Sequence, residues 1–119
     1  MKKLTMDKTL RKPESEAIYT EYKKQNNKGC PFCIEVSDGK LWRIQPAKFP
    51  YDAVYSKHDL LIPARHVNYI DDLTETELYH LLVQLALFDS SPDEYDSIMY
   101  NFKHKQTVPQ HLHFHLLKL

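Results

Sequence analysis

Neither sign of charge is in excess in this chain: 16 lysines and arginines balance 16 aspartates and glutamates over 119 residues. That balance argues against a protein held to DNA or RNA by a broad basic field, because such binding rests on neutralising many phosphates. It leaves room for a nucleotide, which needs only a local cluster of donors. No apolar run approaches the length of a membrane span. The basic N-terminal stretch MKKLTMDKTLRK is not followed by the hydrophobic core of a secretory signal. The chain is therefore expected to be cytoplasmic, without a membrane partner. There is no internal repeat and no low-complexity tract. Only 2 cysteines occur, Cys30 and Cys33, flanking Pro31 and Phe32. In a reducing compartment such a pair reads as metal-binding or redox-active before it reads as a disulfide framework.

What is present fits one domain. A chain of this length buries roughly two-thirds of its unfolded surface, enough for one modest core. Residues 1–13 are polar, end in a proline, and read as a loosely held arm; residues 14–119 form the domain. Glu14–Asn26 suits a surface helix with few apolar positions, namely Ala17, Ile18 and Tyr22. Ile34–Val36 and Leu41–Ile44 flank Asp38-Gly39, a hairpin signal because glycine readily takes positive φ. Asp59–Pro63 reads as a buried strand. Thr74–Asp89 is the clearest helix: Thr74 and Glu77 make a capping box, and Leu78, Leu81, Leu82, Leu85 and Phe88 recur at helical spacing. Ser97–Phe102 and His111–Leu119 read as further strands. The expected fold class is α+β: an antiparallel sheet of about five strands, one long helix and a shorter N-terminal helix.

The segment Gln106–His115, QTVPQHLHFH, is the most informative. Side chains alternate along a strand, so His111, His113 and His115 share one face, with imidazoles about 7 Å apart. Leu112, Phe114 and Leu116 point to the other face, toward a core. Taken alone, the row suits a solvent-facing polar edge, a metal site of three histidines, or a reactive centre. The donors of Gln106 and Thr107 just upstream favour chemistry. Imidazole attacks phosphorus when neutral and donates a proton when charged.

HLHFHLL resembles the signature of the histidine triad family, in which histidines alternate with hydrophobic residues. The resemblance extends to QTVP, to LLIPARHV at 60–67 and to the capped helix that follows, covering the chain from about Gly29 onward. It implies a histidine-triad-like fold and hydrolysis or transfer at a nucleotide α-phosphate, in a phosphoramidate or a dinucleoside polyphosphate. The resemblance assigns His113 as the nucleophile forming a nucleotidyl-histidine. His115 contacts the phosphate and assists the leaving group; a glutamine there marks the uridylyltransferase-like branch, so histidine favours the hydrolases. Gln106 and Thr107 match the phosphate-contacting pair, and His58 a histidine backing the site, although an ordinary core histidine suits His58 equally. Family members with an early CxxC use it with two histidines to hold zinc, which here implies a structural ion on Cys30, Cys33, His66 and His111. Two thiolates and two imidazoles make a closed tetrahedral set. The family also implies a homodimer.

Two features depart from the family pattern. Asn101-Phe102-Lys103-His104-Lys105 stands where a glycine-rich approach is usual, and Ala47 stands where an asparagine usually holds the ribose. They motivate an alternative, a non-catalytic zinc-stabilised nucleotide-binding or interaction module. A metal bound by the histidine row is a third possibility. His80 and His104 read as surface residues, Asp71-Asp72 as favouring the positive end of the long helix, and Trp42 as a cross-strand packing residue rather than a base-stacking one.

Overall fold

A computed structural model of the chain describes residues 10–25, 39–102 and 111–119. Four segments central to the sequence reading lie outside the described residues: Cys30 and Cys33, the first hairpin strand Ile34–Val36, His104, and Gln106 with Thr107. Helix α1 spans Pro13–Gln25 and begins on a proline with Glu14 and Glu16 in its first turn, where a missing N–H costs nothing and acidic groups complement the helix dipole. Among its described side chains Tyr19 is buried and Ile18 is exposed. The inward face is thus set by aromatic contacts rather than by the aliphatic positions: the Tyr19 and Tyr22 rings lie 5.1 and 4.8 Å from that of Phe49.

Strands β1 (Trp42–Pro46), β2 (Lys57–Pro63), β3 (Ser97–Met99) and β4 (Phe114–Lys118) form one antiparallel sheet in the order β1-β2-β4-β3. The architecture is α+β, with four described strands and two helices. Gly39, ahead of β1, takes φ +77°, the positive value that the Asp-Gly signal calls for, while Asp38 lies outside the described residues. Two strands differ in extent from the sequence expectation. β3 stops at Met99, and the Tyr100 ring leaves the ladder to pack 5.0 Å from that of Phe114. β4 starts at Phe114, because Leu112 donates its N–H to the Val67 carbonyl at 2.7 Å rather than to a neighbouring strand.

Helix α2, Glu75–Asp89, covers one face of the sheet. Leu81, with Leu85 and Phe88 beside it, packs on Trp42, Leu61, Phe114 and Leu116. Trp42 is core, as expected, and its Nε1–H donates to the Glu77 carbonyl at 2.9 Å. The other apolar residues of α2 turn outward: Tyr79, Leu82 and Leu87 are 65, 63 and 57 % exposed. His80 is also exposed.

The capping box forms as read. Glu77 donates its N–H to Thr74 Oγ1, and its carboxylate accepts from the Thr74 N–H at 2.8 Å. The same carboxylate is buried and accepts two bonds from Arg65, at 2.8 and 3.1 Å, while Arg65 also donates to the Asp72 carbonyl. Asp72 closes a short 3-10 turn, Ile70–Asp72, ahead of the cap. The Arg65 bond, helped by the cap, holds the Glu77 carboxyl below its ordinary pKa. This network fixes the segment after β2, and with it His66, against the start of α2. Glu77→Ala is expected to cost about 2 kcal/mol, lowering the thermal midpoint by several degrees when unfolding is followed by Trp42 emission.

Candidate active site

The face of the sheet opposite α2 carries the histidines. In the antiparallel register His115 lies across from Leu60, and Leu117 across from His58. His58 and His115 are therefore diagonal neighbours on one face, close enough for long side chains to meet. His58 Nε2 lies 2.8 Å from His115 Nδ1, and their ring centroids are 5.0 Å apart. The His113 ring follows at 5.1 Å from that of His115, edge-on. All three are buried, so this is not the solvent-facing edge that the bare alternation left open.

Each ring has an oriented partner. His113 Nδ1 lies 3.1 Å from the carbonyl of His111. A carbonyl only accepts, so the hydrogen of His113 sits on Nδ1 and its lone pair on Nε2. His115 Nε2 lies 3.3 Å from the Asn101 side-chain amide. His58 Nδ1 accepts the backbone N–H of Tyr51 at 3.0 Å. The Tyr51 ring lies 4.5 Å from that of His58 and stacks on His115 at 5.2 Å. Its hydroxyl bonds Asn101.

Burial dominates the electrostatics. It pushes the His58 pKa down to about 4, with the nearby Arg11 guanidinium acting in the same direction and Asp59 opposing. It pushes His115 down to about 3, helped by His113, His58 and Arg11. His113 is lowered too, again by burial, with its bond to the His111 carbonyl opposing. At neutral pH all three rings are uncharged, the state in which imidazole is a nucleophile.

A second pair of imidazoles sits at the start of the histidine segment. The His66 and His111 rings are 4.9 Å apart, because the Leu112–Val67 hydrogen bond ties their segments together. His111 is fully buried, and its Nε2–H donates to the Pro63 carbonyl at 3.0 Å, which puts its lone pair on Nδ1. A metal-ligating histidine usually anchors its other ring nitrogen in this way. The pair fits two positions of the tetrahedral site expected from the sequence; Cys30 and Cys33, the other two, lie outside the described residues. Among the described residues no group of three or more metal-capable side chains occurs.

The structure thus brings His58, His113 and His115 into one cluster and His66 with His111 into another. It also adds Tyr51, Asn101 and Arg11, to which sequence reasoning gave no role in the site. Arg11 comes from the arm. Its guanidinium lies 4.9 Å from the Tyr51 ring centroid and 4.0 Å from that of Tyr19, and its Nε–H donates to the Phe49 carbonyl at 2.8 Å. Lys12 donates its N–H to Asp52 at 2.8 Å, and Ala53 donates its own to the Leu10 carbonyl at 2.9 Å. Residues 10–12 are therefore bound to the 49–53 loop, in contrast to the loosely held arm the sequence suggested. Asn101 falls past the strand only because β3 stops at Met99, and nothing in the local pattern marks Tyr51 or Arg11.

A surface groove of about 620 Å³ lies on the other side of the sheet, between α2 and β3, and no histidine lines it. No helix among the described residues is long and apolar enough to cross a membrane. No family model matches this chain, and no curated protein matches it.

Proposed function

We propose that this chain is a histidine triad protein acting at the α-phosphate of a nucleotide, as a hydrolase or transferase, through a nucleotidyl-histidine on His113. The observation that carries the reading is the tautomer of His113. With Nδ1–H bound to the His111 carbonyl at 3.1 Å, the Nε2 lone pair is the nucleophile, and the carbonyl is placed to stabilise the positive charge that develops as the N–P bond forms. His115 Nε2–H is the neighbouring donor to phosphate or leaving group, His58 supports His115, and Gln106 and Thr107 are assigned to the phosphate by resemblance. The antiparallel sheet with a capped helix on one face agrees with a histidine-triad-like fold.

Zinc, when bound by Cys30, Cys33, His66 and His111, supplies a structural crosslink and no chemistry to the substrate. Purified protein is expected to carry about one zinc per chain, measured by elemental analysis; metal-free, fully folded protein would refute the assignment. The exposed Tyr79, Leu82 and Leu87 on α2 support a homodimer. The partner in the reaction is a small nucleotide, at a cytoplasmic location.

The test is intact-mass detection of a nucleotidyl adduct after incubation with a dinucleoside polyphosphate or a nucleoside phosphoramidate. One adduct per chain that is absent from His113→Ala supports the mechanism. Calorimetric binding of AMP without adduct or turnover would instead favour the non-catalytic module.

A further inference from the structure

Building on the reading of His113 as nucleophile, we infer that the site serves substrates whose leaving group departs as an anion, a phosphate or a nucleoside phosphate, rather than nucleoside phosphoramidates. The hydrogen bonds around His58 and His115 hold both rings uncharged and keep no proton in reserve for a leaving amine.

The assignment starts from a donor with no alternative. The Tyr51 backbone N–H points at His58 Nδ1 from 3.0 Å, and an amide N–H only donates, so Nδ1 accepts and the ring hydrogen sits on Nε2. That Nε2–H meets His115 Nδ1 at 2.8 Å, so this nitrogen accepts in turn, and the hydrogen of His115 sits on Nε2. Nε2 lies 3.3 Å from Asn101 Nδ2; since an amide nitrogen also only donates, the chain of donors from Tyr51 requires the Asn101 amide to be turned by half a revolution, its oxygen accepting from Nε2–H. All four ring nitrogens are thereby satisfied with both imidazoles neutral. A further proton has nowhere to go. On His58 Nδ1 it would confront the Tyr51 N–H. On His115 Nδ1 it would confront the His58 Nε2–H, and a compensating tautomer shift in His58 would again drive Nδ1–H against Tyr51.

The surroundings reinforce this arrangement. Tyr51 lies against both rings and Arg11 lies over Tyr51, a fixed cation near the pair. His113 is a third neutral imidazole beside it. Asp59, the acidic neighbour, accepts from the Tyr95 hydroxyl and alternates with His58 along β2, so it points to the other face. An unengaged carboxylate on the histidine face would have favoured an imidazolium; none contacts these rings among the described residues.

The consequence is chemical. As His113 Nε2 bonds to the α-phosphorus, the bond to the leaving atom breaks and its electron pair leaves with that atom. A phosphate oxygen carries the charge at neutral pH and needs only the hydrogen bond from His115 Nε2–H. A phosphoramidate nitrogen needs a proton as it leaves. Water then displaces His113 from phosphorus, giving the nucleoside monophosphate, and its proton passes to solvent. Since positioned proton donation contributes about 10²–10⁴-fold, kcat/KM for a dinucleoside triphosphate is expected to exceed that for the matching phosphoramidate by at least about 10²-fold.

The experiment uses wild-type protein with diadenosine triphosphate and adenosine 5′-phosphoramidate as probes, beside long-range ¹⁵N–¹H spectra of the histidines at pH 7. Preference for the triphosphate, with both His58 and His115 neutral and protonated on Nε2, supports the inference. Equal or better turnover of the phosphoramidate overturns it while leaving the His113 adduct, and so the proposed function, intact. An imidazolium signal from His58 or His115 overturns it without reference to substrate. No turnover of either probe, with no adduct on His113, overturns the proposed function and the leaving-group preference together.

Discussion

His113→Ala is expected to lower kcat/KM by at least about 10⁴-fold, some 5.5 kcal/mol of transition-state stabilisation. In the proposed mechanism the loss is so large because the side chain forms the bond to phosphorus, and nothing beside it can substitute. His115 presents Nε2–H toward Asn101 and engages its Nδ1 with His58, so no lone pair of His115 is available for attack. His113 is small enough in its demands on the fold for the variant to be informative. The ring bonds the carbonyl two residues earlier, and the strand ladder begins only at Phe114. A far-ultraviolet spectrum matching wild type should accompany the loss. Activity within tenfold of wild type in a folded His113→Ala protein would exclude the covalent route.

Acid is expected to unfold the protein, because the buried imidazoles cannot follow the unfolded chain in taking up protons. In the unfolded state histidine titrates near 6.5. In the folded state His58 and His115 are held down to about 4 and about 3. Folded-state values below unfolded ones mean that the stabilisation is fully present above pH 6.5. It is lost as the pH falls toward the folded values. Each group contributes up to about 1.36 kcal/mol per pH unit in that window, so the pair gives a slope approaching 2.7 kcal/mol per unit. For a total stability of about 5 kcal/mol, the low end of the usual range, this loss reaches the whole of it between pH 5 and 4. Denaturant titrations at stepped pH, read by Trp42 emission, measure the slope. His58→Gln/His115→Gln removes both groups, so the difference between the two slopes isolates the pair from every other acid-sensitive contact. Equal slopes would refute the account.

How far the molecule could be read in advance differs from one residue to the next, for physical reasons. The Thr74–Glu77 box and the positive φ of Gly39 are local: each depends on a few consecutive residues, and both appear where expected. Alternation put Leu112, Phe114 and Leu116 into the core and the histidines on the other face, but it could not tell that the histidine face is also buried. That burial depends on Tyr51 and Arg11, which approach from a loop and an arm distant in sequence. Helical spacing in α2 likewise marked the leucines without saying that Leu82 faces outward, since an apolar stripe wider than the core contact looks the same in one dimension. Asn101 lay inside the expected strand Ser97–Phe102 and carried no mark of the site; its contact with His115 is a product of the sheet register.

The bonds from residues 10–15 to the 49–53 loop bear on where this protein can be cut. Leu10, Lys12 and Ser15 engage Ala53 and Asp52, and Arg11 engages Phe49. Two residues beyond Phe49, Tyr51 supplies the amide that fixes His58. A fragment trimmed to the start of α1 at Pro13 would keep every described strand, both described helices and all the histidines. It would lose the Leu10 carbonyl, the Arg11 guanidinium and the Lys12 amide that brace the loop. The unit that holds the His58–His115 pair therefore begins before the first described helix, and a fusion joint or protease site placed against Pro13 falls inside the wall of the candidate site.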